Sequence, residues 1–202
     1  MSSNVNTIVY KNIREFLNYR GAKHAMSDLS DKEIQDLFLS DGYQKFTGDY
    51  PDGSKITVVV YTFLSRHVKG SKEFMVSVNT LKASSTHEVL IVLGDGIPAK
   101  SILKFTTLGN AKMENVGRVV GYNLFRTNLP TVAIVPPHRA LSEEEAKFIE
   151  QHFYMGRENI SSHILWQTDP ACIWCGAARG DIVEIRRQND TSGECVDYRL
   201  CV

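Results

Sequence analysis

Apolar residues at Val5, Ile8, Val9, Ile13, Phe16 and Leu17 recur at helical spacing and predict an amphipathic helix. Arg20-Gly21 gives that helix a basic last turn and a stop. Ser30 and Glu33 have capping-box spacing, so a second helix is expected behind them, with Ile34, Leu37 and Phe38 on its apolar face. Tyr50-Pro51-Asp52-Gly53 is a turn signal ahead of a β-rich run, Ile56–Phe63. Val89–Leu93 is continuous and branched, the pattern of a strand buried on both faces, and Gly94-Asp95-Gly96 ends it. Ser101–Thr106 and Val116–Tyr122 are further strand candidates, separated by the polar loop Gly109–Lys112. Helices mixed with a largely internal sheet make this half α/β.

A polar break at Arg126-Thr127-Asn128 divides the chain into two domains, 1–127 and 128–202. Pro130 is expected to start a short strand through Val135, which Pro136-Pro137 stops. Ser142 caps a helix whose first turn holds three glutamates, and Phe148, Ile149 and Phe153 are expected to line one face of it. Asp169-Pro170 starts a short helix that Gly176 ends. Asp181–Arg187 and Cys195–Val202 read as two strands joined by the turn Gln188–Gly193, a terminal β-hairpin on a small α+β domain.

Composition narrows the class. The 202 residues are 43% hydrophobic and 23% charged, which suits a globular protein. Lys+Arg and Asp+Glu both number 23, so any nucleic-acid contact is a local patch rather than a basic coat. The longest apolar runs fall far below the roughly 20 residues of a membrane span. No secretory signal is visible at the N-terminus, and four cysteines in a chain this size suggest reduced thiols in an intracellular protein.

The search for chemistry yields decoys. Gly94-Asp95-Gly96 lacks the third glycine of a dinucleotide loop, and no phosphate-loop sequence occurs. Cys172-x-x-Cys175 has zinc-ligand spacing, and Cys195 and Cys201 lie an even number of residues apart on one predicted strand. Small apolar core residues are the favoured reading of these four, although spacing alone leaves a zinc site open. Asp52 resembles half of a nuclease motif, but the nearest acid-x-Lys partner, Glu145-Ala146-Lys147, lies in the other domain. The six histidines are scattered, and no Gly-x-Ser-x-Gly elbow occurs. Arg179, Arg186, Arg187 and Arg199 suit either a phosphate backbone or an acidic protein partner.

A run of C-terminal motifs carries a resemblance. Val135-Pro-Pro-His138 is followed by Thr168-Asp-Pro170, then by Gly176-Ala-Ala-Arg-Gly-Asp-Ile-Val-Glu-Ile-Arg-Arg187. Thr191-Ser-Gly-Glu194 and the ending Tyr198-Arg-Leu-Cys-Val202 complete the order. Over residues 132–202 this resembles the subunit 5 family of multisubunit DNA-dependent RNA polymerases, whose archaeal members consist of the C-terminal domain alone. The stretch Asn128–Ile134 departs from the His-Glu-Leu-type segment of cellular members, and the N-terminal half is short. Both features lean toward the version carried by a large DNA virus.

The resemblance implies a non-catalytic polymerase subunit with no cofactor and no metal. Its C-terminal domain would anchor to the largest subunit and touch neighbouring small subunits, with Arg179, Arg186, Arg187, Tyr198 and Arg199 as interface candidates. Its N-terminal domain would be a jaw resembling an inactive restriction-endonuclease fold, set beside downstream duplex DNA. Asn110 and Lys112 are the candidates for contact with that DNA, independent of base sequence. A viral source implies a cytoplasmic virus factory or virion, and a cellular one the nucleus. A free-standing transcription or assembly factor and a divergent metal-dependent nuclease are the alternatives.

Overall fold

The computed structural model describes residues 2–40, 43–61, 88–94, 118–165, 168–189, 191 and 193–202. The chain divides into two compact units, Met1–Thr127 and Asn128–Val202.

In the first unit, helix α1 (Ser2–Tyr19) turns its apolar stripe inward, burying Val9, Ile13, Phe16 and Leu17. It ends in a hydrogen-bonded turn: Gly21 N–H donates to Asn18 O and Ala22 N–H to Leu17 O. Gly21, at φ 70°, takes the left-handed position that this motif requires. Helix α2 (Asp31–Ser40) begins at the capping box read from the sequence, with Ser30 N–H donating to Glu33 Oε2 at 2.8 Å. Ile34 and Phe38 point into the core.

The sheet of this unit runs β1 (Lys23–His24), β2 (Tyr43–Asp49), β3 (Lys55–Tyr61), β4 (Glu88–Leu93), β5 (Val119–Gly121), in spatial as well as chain order. The first three strands are antiparallel, whereas β4 pairs parallel with both β3 and β5. From Val89 to Leu93 every residue of β4 is buried, as its unbroken apolar run predicts. Tyr10 meets Phe46 and Phe16 meets Phe125 edge to face, with ring centroids 5.5 and 5.3 Å apart. Burying each such ring contributes roughly 1.5–3 kcal/mol.

Strands β1 and β2 have no strong periodic signal and were not expected from the sequence. The expected Val116–Tyr122 strand is shorter, because Tyr122 already begins a 3-10 turn through Phe125. The candidates Ser101–Thr106 and Gly109–Lys112 lie outside the described residues.

The second unit is built on a four-stranded sheet ordered β6-β8-β9-β7, comprising β6 (His138–Ala140), β7 (His163–Ile164), β8 (Ile182–Asn189) and β9 (Gly193–Cys201). Antiparallel β8 and β9 form the hairpin that the sequence predicts, in register from Ile182↔Leu200 to Asn189↔Gly193. Helix α3 (Glu143–His152) is started by a complete Ser142–Glu145 capping box. Helix α4 (Pro170–Cys175) starts at Asp169, which accepts from Ala171 and Cys172 N–H, and closes at Gly176 with φ 80°. One apolar cluster joins Leu141, Ala146 and Ile149 to Ile182 and Tyr198; the other joins Cys172 and Ala177 to Val183, Ile185 and Cys201. Ile182 and Val183 are adjacent on β8, so the two clusters lie on opposite faces of the sheet.

Two expectations fail here. Pro130–Val135 is not a strand: Leu129–Thr131 is a 3-10 turn and Val135 N–H donates to Val132 O. Ile134 is 87% exposed, so the β-branched run finds no buried surface to reward its propensity. The strand forms instead after the prolines, at His138–Ala140. The single face expected of Phe148, Ile149 and Phe153 is also split, since Ile149 packs inward whereas Phe148 and Phe153 are 66% and 49% exposed. Ala146 and Ile149, three residues apart, form its inward face, and Phe148 projects about 100° around the helix from Ile149.

Candidate interaction surface

Of the five interface candidates, strand alternation separates four. Arg186 and Tyr198 share a face with Glu184, Glu194 and Val196, as their register pairs require. Arg187 and Arg199 belong to the opposite face, with Cys195 and Asp197. Arg179 sits in the turn before β8, beyond the strand itself. They do not form one basic patch.

The first face carries a line of alternating charge across the sheet. Arg139 donates to Glu145 at 2.7 Å and approaches Glu184 at 3.4 Å; Arg186 donates to Glu184 at 2.8 Å and to Glu194 at 3.3 Å. Burial alone would push the Glu184 carboxyl up, but Arg186 and Arg139 outweigh it and hold it below the usual carboxylate range. Glu145 is lowered further, to about 2, first by the Ser142 backbone N–H and then by Arg139. Arg186 is thus occupied by neighbours within its own unit. Arg199 pairs with Asp197 at 3.1 Å. Arg179 and Arg187 are exposed and make no ion pair among the described residues.

Tyr198, on the same face, also ends an aromatic row that the sequence did not reveal. Phe148 stacks on His152, His152 meets Phe153 edge-on, and Phe153 meets Tyr198, with centroids 6.1, 5.2 and 6.2 Å apart. Beside this row lies a groove of ≈ 410 Å³ whose lining joins Leu141, Phe148, Ile149 and Tyr198 to the charged Arg139, Glu144, Glu145 and Glu184. Tyr154 and Met155 follow Phe153 in the chain and are 96% and 40% exposed. The signal that could have found it is the run Phe148…Phe153-Tyr154-Met155, which starts on a helix with acidic first turn and little other apolar content and continues just past its end.

Tyr154 is placed against backbone preference. Its N–H donates to Gln151 O and that of Met155 to Glu150 O, the same two-bond closure found at the end of α1. In α1 the left-handed position is Gly21; here it is Tyr154, at φ 53°. A side chain with a Cβ costs about 1–2 kcal/mol in that conformation. Arg157 then holds the following turn, donating to Glu150 at 2.7 Å, to both Glu143 oxygens at 3.1 Å and to Gly180 O at 3.1 Å.

The remaining candidates are structural. Asp52 Oδ1 accepts from Ser54 N–H at 2.9 Å and Ser54 Oγ–H at 2.6 Å, closing the β2–β3 turn. Cys172 and Cys201 are core residues, but Cys195 is exposed; six residues along β9 put about 20 Å between it and Cys201. Among the described residues no three His, Cys, Asp or Glu side chains converge as metal ligands. No helix among them is long and apolar enough to cross a membrane. Asn110 and Lys112 lie outside the described residues. The run from Gly176 to Asp181 is a turn device: Asp181 Oδ2 accepts from Ala178 N–H, and Gly180, at φ 93°, donates to Cys201 O.

Comparison with known proteins agrees with this unit's architecture. The family model described as RNA polymerase Rpb5, C-terminal domain, matches residues 127–201. A DNA-directed RNA polymerase RPB5 homolog of African swine fever virus is 27% identical over 199 residues, covering 93% of each chain. The DNA-directed RNA polymerase subunit Rpo5 of Archaeoglobus fulgidus is 41% identical over 69 residues, which is 34% of this chain and 88% of that one. The corresponding subunit of Thermococcus celer is 38% identical over 69 residues, 82% of its length. Motif order, a matching C-terminal unit and likeness over 93% of the chain to viral relatives lead to one conclusion: the chain belongs to the Rpb5 family of DNA-directed RNA polymerase subunits, in its viral version.

Proposed function

We propose that the second unit anchors this subunit to the largest polymerase subunit through the aromatic surface of α3 and Tyr198, and that the chain performs no catalysis itself. The observation that carries this reading is Tyr154, a 96% exposed aromatic kept where α1 uses glycine. Strained backbone under a solvent-facing ring is retained for what the ring contacts. Aromatic residues and methionine are enriched at subunit interfaces, and exposed Phe148, Phe153, Tyr154 and Met155 supply them, with Phe148 also lining the groove. Arg179 and Arg187 lie outside that row and are assigned to the margin of the contact.

The first unit is read as the jaw, with an inactive restriction-endonuclease-like fold, directed at downstream duplex in a sequence-independent manner. Its mixed sheet flanked by helices supports that reading, and Asn110 and Lys112 remain its DNA-contact candidates. The engagement of Asp52 within its own turn weighs against a nuclease.

The test is co-expression of the tagged full chain with the other subunits of its own polymerase. Replacing Phe148, Tyr154 and Met155 together by serine, glycine and serine should reduce recovery of the largest subunit at least tenfold. Undiminished recovery with these three changed would overturn the assignment of the surface.

A further inference from the structure

Cys172 Sγ and Cys201 Sγ lie 3.5 Å apart, although the residues stand 29 positions apart in sequence. Both are buried, at 0% and 1% exposure, among Ile164, Ala177, Val183 and Ile185. One sits in the first turn of α4 and the other ends β9, so their contact joins the helix on one face of the sheet to its central hairpin. The neighbouring backbone already fixes both: Cys172 N–H donates to Asp169, and Cys201 N–H donates to Asp181 O. A disulfide needs the sulfurs at about 2.05 Å, an approach of roughly 1.5 Å from their present contact.

We propose that Cys172 and Cys201 form a reversible disulfide that clips α4 to β9. The oxidant is a small-molecule or protein disulfide. A thiolate of the pair attacks it, forming a mixed disulfide and releasing one thiol. The second thiolate then attacks the protein sulfur of that mixed disulfide and releases the other thiol. Two protein thiols are oxidised, one external disulfide is reduced to two thiols, and the two protein protons end on those thiols. Because both sulfurs are buried, exchange requires opening of the α4–β9 contact and is slow beside reaction at exposed Cys195. Cys175 is half-buried and its thiol donates to Cys172 O at 3.6 Å, which turns it away from the pair.

The full chain, with Cys195→Ser to remove the exposed thiol, is equilibrated against graded ratios of reduced to oxidised glutathione. It is then alkylated, digested without reductant and analysed by mass spectrometry. A peptide linking Cys172 to Cys201 is expected. Both tryptophans, Trp166 and Trp174, belong to the second unit, so their fluorescence follows its melting within the whole chain. The oxidised form should melt roughly 5–15 °C higher, reversibly with dithiothreitol. Cys201→Ala should abolish the shift and Cys175→Ser should keep it. No linkage at glutathione ratios that fully modify Cys195 in the unsubstituted chain would overturn the proposal. So would a different pairing, or a linkage without a rise in melting temperature; these readings on Cys195→Ser do not depend on how Cys201→Ala folds.

Discussion

Arg20 Nη2 lies 2.5 Å from Glu88 Oε2, tying the end of α1 to the first residue of β4. The Arg20 side chain is 9% exposed, and its guanidinium lies 5.6 Å from the Phe16 ring centroid and 5.8 Å from that of Tyr50. The pair is therefore mostly shielded from water, where removing one partner strands the other. Arg20→Ala should cost about 3–5 kcal/mol in urea unfolding of the first unit, followed by far-ultraviolet circular dichroism. Arg20→Met combined with Glu88→Leu should cost clearly less than Arg20→Ala alone. Equal losses would mean that packing of the arginine stem, not the charge pair, stabilises this corner.

Gly48 is set by close approach rather than by a turn. A Cβ built there would lie 2.9 Å from Ala22 Cβ, with Ile56 and Leu17 methyls at 3.5 Å. The Ala22 methyl at the tight contact is not a flexible chain end, so Gly48→Ala forces β2 away from the residue that leads into β1. The expected cost is about 1–3 kcal/mol. Ala22→Gly in the same chain should recover most of it, which chemical denaturation of the double variant measures.

Glu145 should titrate near pH 2. Its folded pKa lies below its ordinary value, so the stability it contributes is present above about pH 4.5 and is lost as pH falls toward 2. Its carboxylate resonance, followed by NMR in the full chain, supplies the midpoint. Arg139→Gln should raise that midpoint but leave it below the ordinary value, because the Ser142 cap remains. Glu145→Gln should flatten the dependence of tryptophan-monitored stability between pH 4.5 and 2.

Arg157 connects Glu143, Glu150 and the Gly180 carbonyl, so it fastens α3 to the turn before β8. Its guanidinium pKa is raised, first by the Glu150 hydrogen bond. Arg157→Lys keeps the charge but loses the fork that reaches three acceptors, and should cost about 1–2 kcal/mol by thermal unfolding. A change within error would mean that water replaces those bonds at no loss.

Capped helices were the most legible elements. Ser30–Glu33, Ser142–Glu145 and Asp169-Pro170 each encode their start within four residues, and each start forms as encoded. The terminal hairpin and β4 were equally plain, because their apolar pattern is long enough to fix a period. Lys23–His24 and His163–Ile164 were not, since two residues carry no period and such strands exist only by pairing with longer ones. Pro130–Val135 misled for the opposite reason: its composition favours a strand, yet no strand pairs with it among the described residues. The site was harder still. Five residues chosen for type could not be assigned to faces until the register of β8 against β9 was known. Tyr154 was invisible because a left-handed tyrosine has no sequence signature.

The short outer strands of the second unit have a consequence for self-association. β6 reaches β8 only as far as Ile185, and β7 meets β9 only from Leu200. Among the described residues, the outer half of the hairpin therefore has no strand alongside it on either edge. Open edges of this kind invite copies to zip together, and charged side chains are the usual guard. Arg187, Glu194, Asp197 and Arg199 line that stretch, interrupted by the exposed Val196. Among the described residues, charge rather than a covering strand is the guard this edge offers against one copy extending the sheet of another.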